Sequence, residues 1–467
     1  CTISLVNSGD LVSYFIFNEL MALSAAIIIF NGRTEESKHA GKLYLKIHFF
    51  GGTLLLASLS YFYVTNGNIN FVKIIIDTEN LFKDYSNNIP SILFLLSILI
   101  NAATPPFSSW LTRGYPAAST SGSVYLSAFT TKAAVFSLLS FFPSNPILIY
   151  IGLFMIMHGI IYAILENNIH RVLSYSIINQ VGFMITAIGI GTDYAISGAA
   201  LHAFCHIFYK LLLMMTASSV VQIVGTGKSS ELGNLFSSMK YTCIFAIIGS
   251  AAISAFPFTS GYISKSIISY AAKESGLYVI WVSLMIASAG VFLHAGIKFP
   301  WFVFFAKNDE RNYNAHDPSK LTLFAMFLAS IICILPGFFP NLIYQLLPEK
   351  NFQFNPNNLV SIRHQIELLL SSAVAFFLFL PLLKRTDTIS LDFEWIGSLF
   401  SRRIKKLSLP VALFIDNLLP EIYRLYNNFV FYIEDFRPFR KIKILTITIA
   451  TSLIYIFVYI VLKIVLI

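Results

Sequence analysis

Charged side chains are scarce in this sequence, and their scarcity excludes most soluble folds. Asp, Glu, Lys and Arg make up 12% of the 467 residues, whereas roughly 25% is usual in soluble domains. Hydrophobic residues make up 56%. Runs of about 20 apolar residues with little alternation predict membrane-spanning helices and argue against an outer-membrane barrel. The predicted fold class is therefore an all-α polytopic membrane protein with about twelve transmembrane helices.

Motifs for soluble catalysis are also missing. The sequence contains no GxGxxG, Walker loop, GxSxG or CxxC, so it predicts no cofactor and no catalytic site of its own. Any electron transfer would occur in a partner. The four cysteines are scattered, and an i, i+4 histidine pair lacks an HExxH pattern, so no metal site is expected. The net charge of +9 lies mostly in loops, where membrane topology explains it, so no nucleic-acid partner is expected.

Hydropathy divides the chain into twelve predicted spans. They cover residues 11–30, 43–64, 89–104, 123–142, 146–165, 172–191, 196–223, 241–272, 278–305, 320–345, 364–383 and 443–467. Connections rich in Lys and Arg alternate with basic-poor ones, and the basic set is predicted to face the cytoplasm. The polar stretch 384–442 would then lie inside, either as an amphipathic segment on the membrane surface or as a solvated linker.

Two of these spans carry prolines that break their helices. Pro105 and Pro106 begin one interruption, and Pro257 begins a similar sequence that runs to Gly261. Proline removes a backbone donor and frees carbonyl groups that protein or water must satisfy. Discontinuous helices in matching halves are typical of inverted-repeat transporters, although two ordinary proline kinks are the alternative. The sequence predicts five parts: a first repeat 1–145, a second repeat 146–305, additional helices 306–383, the segment 384–442 and a final helix 443–467.

Ionisable side chains lie inside several apolar spans. A charge at a helix centre costs roughly 2.5 to 3.5 kcal/mol or more, so those that persist usually serve ion movement. Glu19 would act as a proton switch if a lysine approached it, or would form a static ion pair. Lys132 and Lys265 are candidate proton-relay groups, unless their ammonium groups extend to the membrane interface.

Three further candidates share one helix face. His202, His206 and Lys210 follow each other at intervals of four residues, so protons could pass between them through intervening water. His158 and His294 stand alone in apolar surroundings and are predicted to be core residues with satisfied hydrogen bonds.

Several motifs resemble the proton-translocating antiporter-like membrane subunits. This family comprises the D and A subunits of multisubunit Mrp-type Na+/H+ antiporters and the large membrane subunits of respiratory complex I, NADH:quinone oxidoreductase. The resemblance covers residues 9–305 and is nearest to the D-type subunits of the antiporters. It rests on segments that include the run from Gly9 to Met21, the stretch from Asn101 to Ala118, Thr131-Lys132, the run from Arg171 to Gly182, the run from His206 to Leu213 and the run from Pro257 to Lys265.

The resemblance implies roles for individual residues. Glu19 resembles the protonatable glutamate of the fifth family helix, and Lys132 the lysine of the eighth. His206 and Lys210 resemble the central relay, and Lys265 resembles the twelfth-helix lysine near the exit. Asn101 departs from the family, which usually has a lysine there to pair with the glutamate. The family's first helices would precede Cys1, so we expect an N-terminal part to be lacking; a lipid-modified Cys1 is the alternative.

The resemblance predicts a proton-translocating subunit of a cation/proton antiporter in the bacterial inner membrane. It implies other membrane subunits as partners, H+ and possibly Na+ as ions, and the lipid bilayer as surroundings. One alternative is a membrane subunit of an NADH:quinone oxidoreductase-type complex, whose enzyme activity would lie elsewhere. Another is a degenerate structural subunit that no longer conducts ions.

Overall fold

Helices form the whole secondary structure of the computed structural model wherever it describes the chain, apart from one isolated β-bridge. The described residues are 1–66, 85–307, 313–347 and 354–381, together with residues 74, 392, 393 and 395. The helices are α1 (Thr2–Val6), α2 (Leu11–Phe30), α3 (Glu35–Asn66), α4 (Tyr85–Asn101), α5 (Ser109–Ala117), α6 (Thr120–Phe141), α7 (Ile147–Leu165), α8 (Ile169–Ile190), α9 (Asp193–Val224), α10 (Lys240–Ile253), α11 (Ser260–Glu274), α12 (Tyr278–Val291), α13 (Lys320–Phe338), α14 (Asn341–Tyr344) and α15 (Leu359–Leu378). Two π-helical stretches, Phe292–Lys298 and Trp301–Phe305, continue α12.

The predicted all-α polytopic fold class is confirmed. In the described ranges, nine helical segments are long and apolar enough to cross a membrane, and two shorter apolar helices accompany them. Eleven of the twelve predicted spans fall on described residues. The predicted span 241–272 consists of two helices, α10 and α11, and the break between them lies at the predicted proline interruption. The predicted helix 443–467 lies outside the described residues, as does nearly all of the segment 384–442.

Helix α8 lies at the centre of the bundle. Of its most apolar stretch, 94% is buried inside the protein. Helix α9 packs against α6, α8, α10, α11 and α13. A helix surrounded by other helices can place polar side chains against protein groups instead of lipid. The interior face of α9 is therefore the natural place for the predicted relay residues.

The two predicted helix breaks share one backbone arrangement. In the first break, between α4 and α5, Ala103 has a φ of 61°; in the second, between α10 and α11, Ala255 has a φ of 58°. The Ala103 and Ala255 amides both donate to the carbonyl three residues earlier, and the amide of the next residue donates five residues back in both breaks. The two breaks therefore have the same local backbone hydrogen bonds, although their sequences differ.

Side chains donate to backbone carbonyl groups at both breaks. Trp110 donates its indole N–H at 3.0 Å to the Ile100 carbonyl, which also accepts from the Ala103 amide. Lys265 donates to the Ile253 carbonyl at 2.8 Å. Gly261 lies within the first turn of α11 and not in the break itself. A Cβ on Gly261 would collide with the Ala252 carbonyl oxygen. The absence of a side chain at Gly261 therefore allows the two half-helices to approach closely.

Candidate functional site

The histidines and lysine predicted on one face of α9 are fully enclosed. His202, His206 and Lys210 are each 0% exposed. The ring centroids of the two histidines are 6.5 Å apart. Burial of three ionisable side chains on adjacent turns is costly, so polar neighbours must compensate for it.

His202 is held by side chains from two other helices. Its Nδ1 lies 2.8 Å from the Ser264 hydroxyl of α11, and its Nε2 lies 3.2 Å from the Gln180 side-chain oxygen of α8. The Tyr209 hydroxyl also donates to that oxygen at 3.2 Å. Gln180 in turn donates to Asn179 at 2.5 Å. These bonds form a continuous polar network across α8, α9 and α11.

His206 differs from His202 because its ring nitrogens have no hydrogen-bond partner within the described part of the chain. The same holds for His294 Nε2 in the first π-helical stretch and for the hydroxyl oxygen of Ser250 just before the second break. Buried polar atoms of this kind are normally satisfied by ordered water. Their helices surround the second break, which favours a hydrated interior there.

Three lysines lie around the same interior. Each donates to a backbone carbonyl: Lys132 to that of Ser127, Lys210 to that of Leu173 at 3.0 Å, and Lys265 to that of Ile253 at 2.8 Å. All three are within electrostatic range of His206. Like charges at low dielectric repel strongly, so protonation of one amine disfavours protonation of the others. The arrangement can therefore couple proton movements among these groups.

Glu19 lies in a different environment from the lysines. The half-buried carboxylate accepts a hydrogen bond from the Asn18 amide at 3.3 Å, and Asn101 donates to Asn18 at 3.1 Å. The Glu19 carboxylate also lies against Gly52 of α3, and a Cβ on Gly52 would collide with the carboxylate. Among the described residues, Glu19 makes no ion pair with Lys, Arg or His. The structure thus brings Lys132, His202, His206, Lys210 and Lys265 together and connects Glu19 to Asn101 through an amide.

Sequence reasoning missed several members of this interior. His294 was predicted to be a satisfied core histidine. Its Nδ1 does bond to the Gly290 carbonyl at 2.9 Å, but its Nε2 has no partner in the described ranges and Lys210 lies within electrostatic range. Gln180 and Tyr209 were not singled out because uncharged polar side chains carry a weaker signal. Side-chain amides in the middle of apolar spans, such as those of Asn18 and Gln180, are the sequence feature that could identify these members.

The chain belongs to the NADH:quinone oxidoreductase/Mrp antiporter transmembrane family, because the model of this family matches residues 8–291. Together with its apolar helices, this membership makes it a multi-pass membrane protein. The chain is 26% identical over 349 residues to the D-type subunit of the Na+/H+ antiporter of Alkalihalophilus pseudofirmus, covering 72% of this chain and 70% of that protein.

Solved structures share the fold. A chain of the Mrp complex from Dietzia sp. DQ12-45-1b superposes with a TM-score of 0.68 at 16% identity, over 80% of this chain and 77% of that one. A chain of the membrane-bound sulfane sulfur reductase, an archaeal respiratory membrane complex, gives a TM-score of 0.63 at 21% identity, over 79% of this chain and 74% of that one. The same fold therefore occurs in an Mrp complex and in a respiratory membrane complex.

Proposed function

We propose that this chain is the proton-translocating, D-type membrane component of a multisubunit cation/proton antiporter. Protons would move along an axis from Glu19 through Lys132 to His202, His206, Lys210 and Lys265. In this proposal the axis crosses two repeats, residues 1–145 and 146–305, each with a broken helix. Other membrane subunits and the bilayer of a bacterial inner membrane would surround the chain.

The observation that carries the proposal is the enclosed cluster of amines and imidazoles around His206. Neither ring nitrogen of His206 has a protein partner in the described part of the chain, and three lysines lie within electrostatic range. An imidazole supplies one donor and one acceptor in its neutral form, so water on both nitrogens would make it a proton relay. Repulsion among the amines would then link protonation at one position to release at the next.

The hydrogen bonds that link Glu19 to Asn18 and Asn101 support a role for Glu19 other than a direct carboxylate–ammonium switch. Asn18 and Asn101 join Glu19 to the end of α4 through neutral amides. An amide can orient the carboxyl group but cannot change its charge by titrating. In this proposal, Glu19 takes up a proton, and the first break receives the change through Asn101.

Proton flux in membrane vesicles tests this function. Vesicles would contain the full chain with the subunits that it assembles with, and a pH-sensitive dye would report flux driven by an imposed cation gradient. Replacement of Lys265 by Ala, or of Glu19 by Gln, should reduce flux about tenfold or more. Lys320→Ala is the matched control, because Lys320 is an exposed lysine at the first residue of α13. Equal flux in the parent, Lys265→Ala and Glu19→Gln chains contradicts the proposal and leaves a structural subunit.

A membrane subunit of an NADH:quinone oxidoreductase-type complex is the second candidate. The fold shared with a chain of a respiratory membrane complex favours it. Purification separates the two. Co-isolation of subunits that carry flavin and iron–sulfur clusters supports the respiratory complex, whereas their absence together with cation-dependent flux supports the antiporter.

A further inference from the structure

A cavity of about 580 Å³ opens beside α11, beyond the network around His206. Its wall combines α11, α12 and the start of α15 with the segment that precedes α15. Tyr262 anchors that segment by donating to the Pro356 carbonyl at 2.7 Å, and Asn357 donates to the Gly337 carbonyl at 2.9 Å. The volume lies within the range of roughly 300 to 1,000 Å³ that is typical of ligand sites.

The lysines and the histidine of the cavity wall are all basic residues. Lys265 lies at its buried end, and Lys273 and His364 are exposed lining residues. No Asp or Glu occurs among the described residues that line it. Lys273 places its ammonium 5.3 Å from the centre of the Trp281 ring. A concave wall with two lysines and no carboxylate attracts anions.

The first turn of α15 adds partial positive charge. Val360 and Ser361 line the cavity, and α15 is 20 residues long. The first amide groups of a helix have no intrahelical partner and, with the helix dipole, favour anions. Asn358 caps the turn by accepting from the Ser361 amide at 2.8 Å. The remaining amides at this end are oriented by the helix for an outside acceptor.

Gln365 provides an independent sign of a ligand. Its side chain is only 8% exposed and lines the cavity, and its Nε2 has no hydrogen-bond partner in the described part of the protein. A buried amide nitrogen without an acceptor destabilises the folded protein. Because the nitrogen is enclosed behind the cavity wall, an anionic oxygen would satisfy this donor after the Gln365 side chain turns toward the cavity.

We propose that this cavity binds a phosphate-bearing anion, in the first place the headgroup of an anionic membrane lipid. Lys273, His364, the first turn of α15 and the Gln365 amide would hold the phosphate oxygens. Phe183, Tyr262, Tyr270, Trp281 and Phe354 form aromatic walls that suit the glycerol and upper acyl carbons of a lipid better than a free ion. The site lies largely outside the ion axis and does not depend on the proposed transport function.

Tryptophan quenching by brominated lipid tests the site in the detergent-solubilised complex. Dibrominated phosphatidylglycerol is the anionic probe, and dibrominated phosphatidylcholine with the same acyl chains is the matched neutral probe. Trp281 is the reporter in the cavity wall, and a Trp281→Phe variant identifies its share of the signal. We expect phosphatidylglycerol to quench Trp281 at about tenfold lower concentration than phosphatidylcholine.

Variants of the wall distinguish a site from general lipid contact. Lys273→Gln and Gln365→Leu should each weaken phosphatidylglycerol binding about tenfold. Lys320→Gln, which removes the same charge from an exposed lysine on α13, should leave it unchanged. Circular dichroism of each variant verifies that the helices form, and a variant that misfolds is replaced by Lys273→Met or Gln365→Met at the same position.

Inorganic phosphate separates the two sources of the anion. Protection of Trp281 from quenching by millimolar phosphate, lost in Lys273→Gln, would make a free phosphate the ligand and retain the site. No protection by phosphate, with selective quenching by phosphatidylglycerol, would make it a lipid headgroup. Equal quenching by the anionic and neutral lipids without protection by phosphate, or binding that Lys273→Gln and Gln365→Leu leave unchanged, overturns the proposal.

Discussion

The two helix breaks have the same backbone but different chemistry. Both place an alanine in the left-handed region and repeat the same amide-to-carbonyl connections. At the first break the neutral indole of Trp110 donates to the Ile100 carbonyl, which also accepts from a backbone amide, whereas at the second break the ammonium of Lys265 donates to the Ile253 carbonyl. The comparison teaches that a break can be stabilised by any good donor, and that a titratable donor adds the possibility of proton exchange.

The polar side chains around the two breaks also differ. Near the first break, Asn101 bonds to Asn18, and Glu19 accepts from the same amide side chain. Near the second break lie the buried imidazoles of His206 and His294, whose nitrogens lack partners among the described residues; near the first break, the buried hydroxyl of Ser97 on α4 likewise has none there. We interpret the first break as the structural copy that orients Glu19, and the second as the copy that carries a titratable donor.

Removal of the side-chain donor at each break should give the largest difference in proton flux between the two breaks. Lys265→Met removes a titratable group and should lower proton flux at least about tenfold. It also leaves the Ile253 carbonyl without its donor, so the free energy of unfolding should fall by about 1–3 kcal/mol. Trp110→Phe removes one neutral donor and should lower the free energy of unfolding by about 1 kcal/mol while flux continues. Vesicle flux and thermal unfolding measure both. Equal flux in the two variants would remove the functional distinction between the breaks.

Addition of a methyl group should affect the second break more than the first. Gly261→Ala places a Cβ against the Ala252 carbonyl oxygen, so overpacking should destabilise the protein by about 2–3 kcal/mol. Ser109 occupies the corresponding position of the first break and already carries a Cβ, so Ser109→Ala is the matched control. Thermal unfolding of both variants in the same detergent is the measurement. A Gly261→Ala chain as stable as Ser109→Ala would show that the two half-helices separate easily.

The amide connection at the first break should have a moderate effect. Asn18→Leu and Asn101→Leu each interrupt the link to Glu19, and each should reduce flux about threefold because the carboxyl group loses its orientation. If the two amides act as one unit, the double variant should lose no more than either single variant. Initial flux rates of the four chains give the coupling. Fully additive losses would mean that Asn18 and Asn101 act separately.

The N-terminal caps of α2 and α8 should respond differently to acid, and this difference should be the smallest of those predicted. Hydrogen bonds from the Ser13 hydroxyl and amide lower the pKa of Asp10 below its ordinary value of 3.8, whereas α8 is capped by the neutral Asn168. A lowered folded-state pKa means that the stabilisation is complete above pH 3.8 and is lost as pH falls through the folded pKa. Amide exchange at Val12 should therefore accelerate relative to that at Arg171 between about pH 5 and about pH 2. Unchanged relative protection contradicts the assignment of the Asp10 cap.

Much of the fold could be predicted from residue patterns because membrane helices leave a strong signal. Apolar runs located the spans, and Pro105 and Pro257 marked both interruptions. The division of the predicted span 241–272 into two helices follows from the second break. What closes each break could not be predicted, because Trp110 and Lys265 reach carbonyls ten and twelve residues away through a fold that no local pattern describes.

The candidate site was predictable only where it carries charge. Lys132, Lys210 and Lys265 stand out because an ionisable group in an apolar span is expensive. The amide of Gln180 and the hydroxyls of Tyr209 and Ser264 have no such signal, and their importance depends on contacts between α8, α9 and α11. Charge identifies candidates, and packing decides which of them can interact.

Ordered water at His206 is the most direct test of the ion axis. A cryo-electron microscopy map of the assembled complex, at a resolution that shows water, should contain density within hydrogen-bond distance of both His206 ring nitrogens and continuing toward Lys210. Such density would give His206 the donor and acceptor that a relay requires. A dry, closely packed ring with no water on either nitrogen would contradict ion movement through this interior.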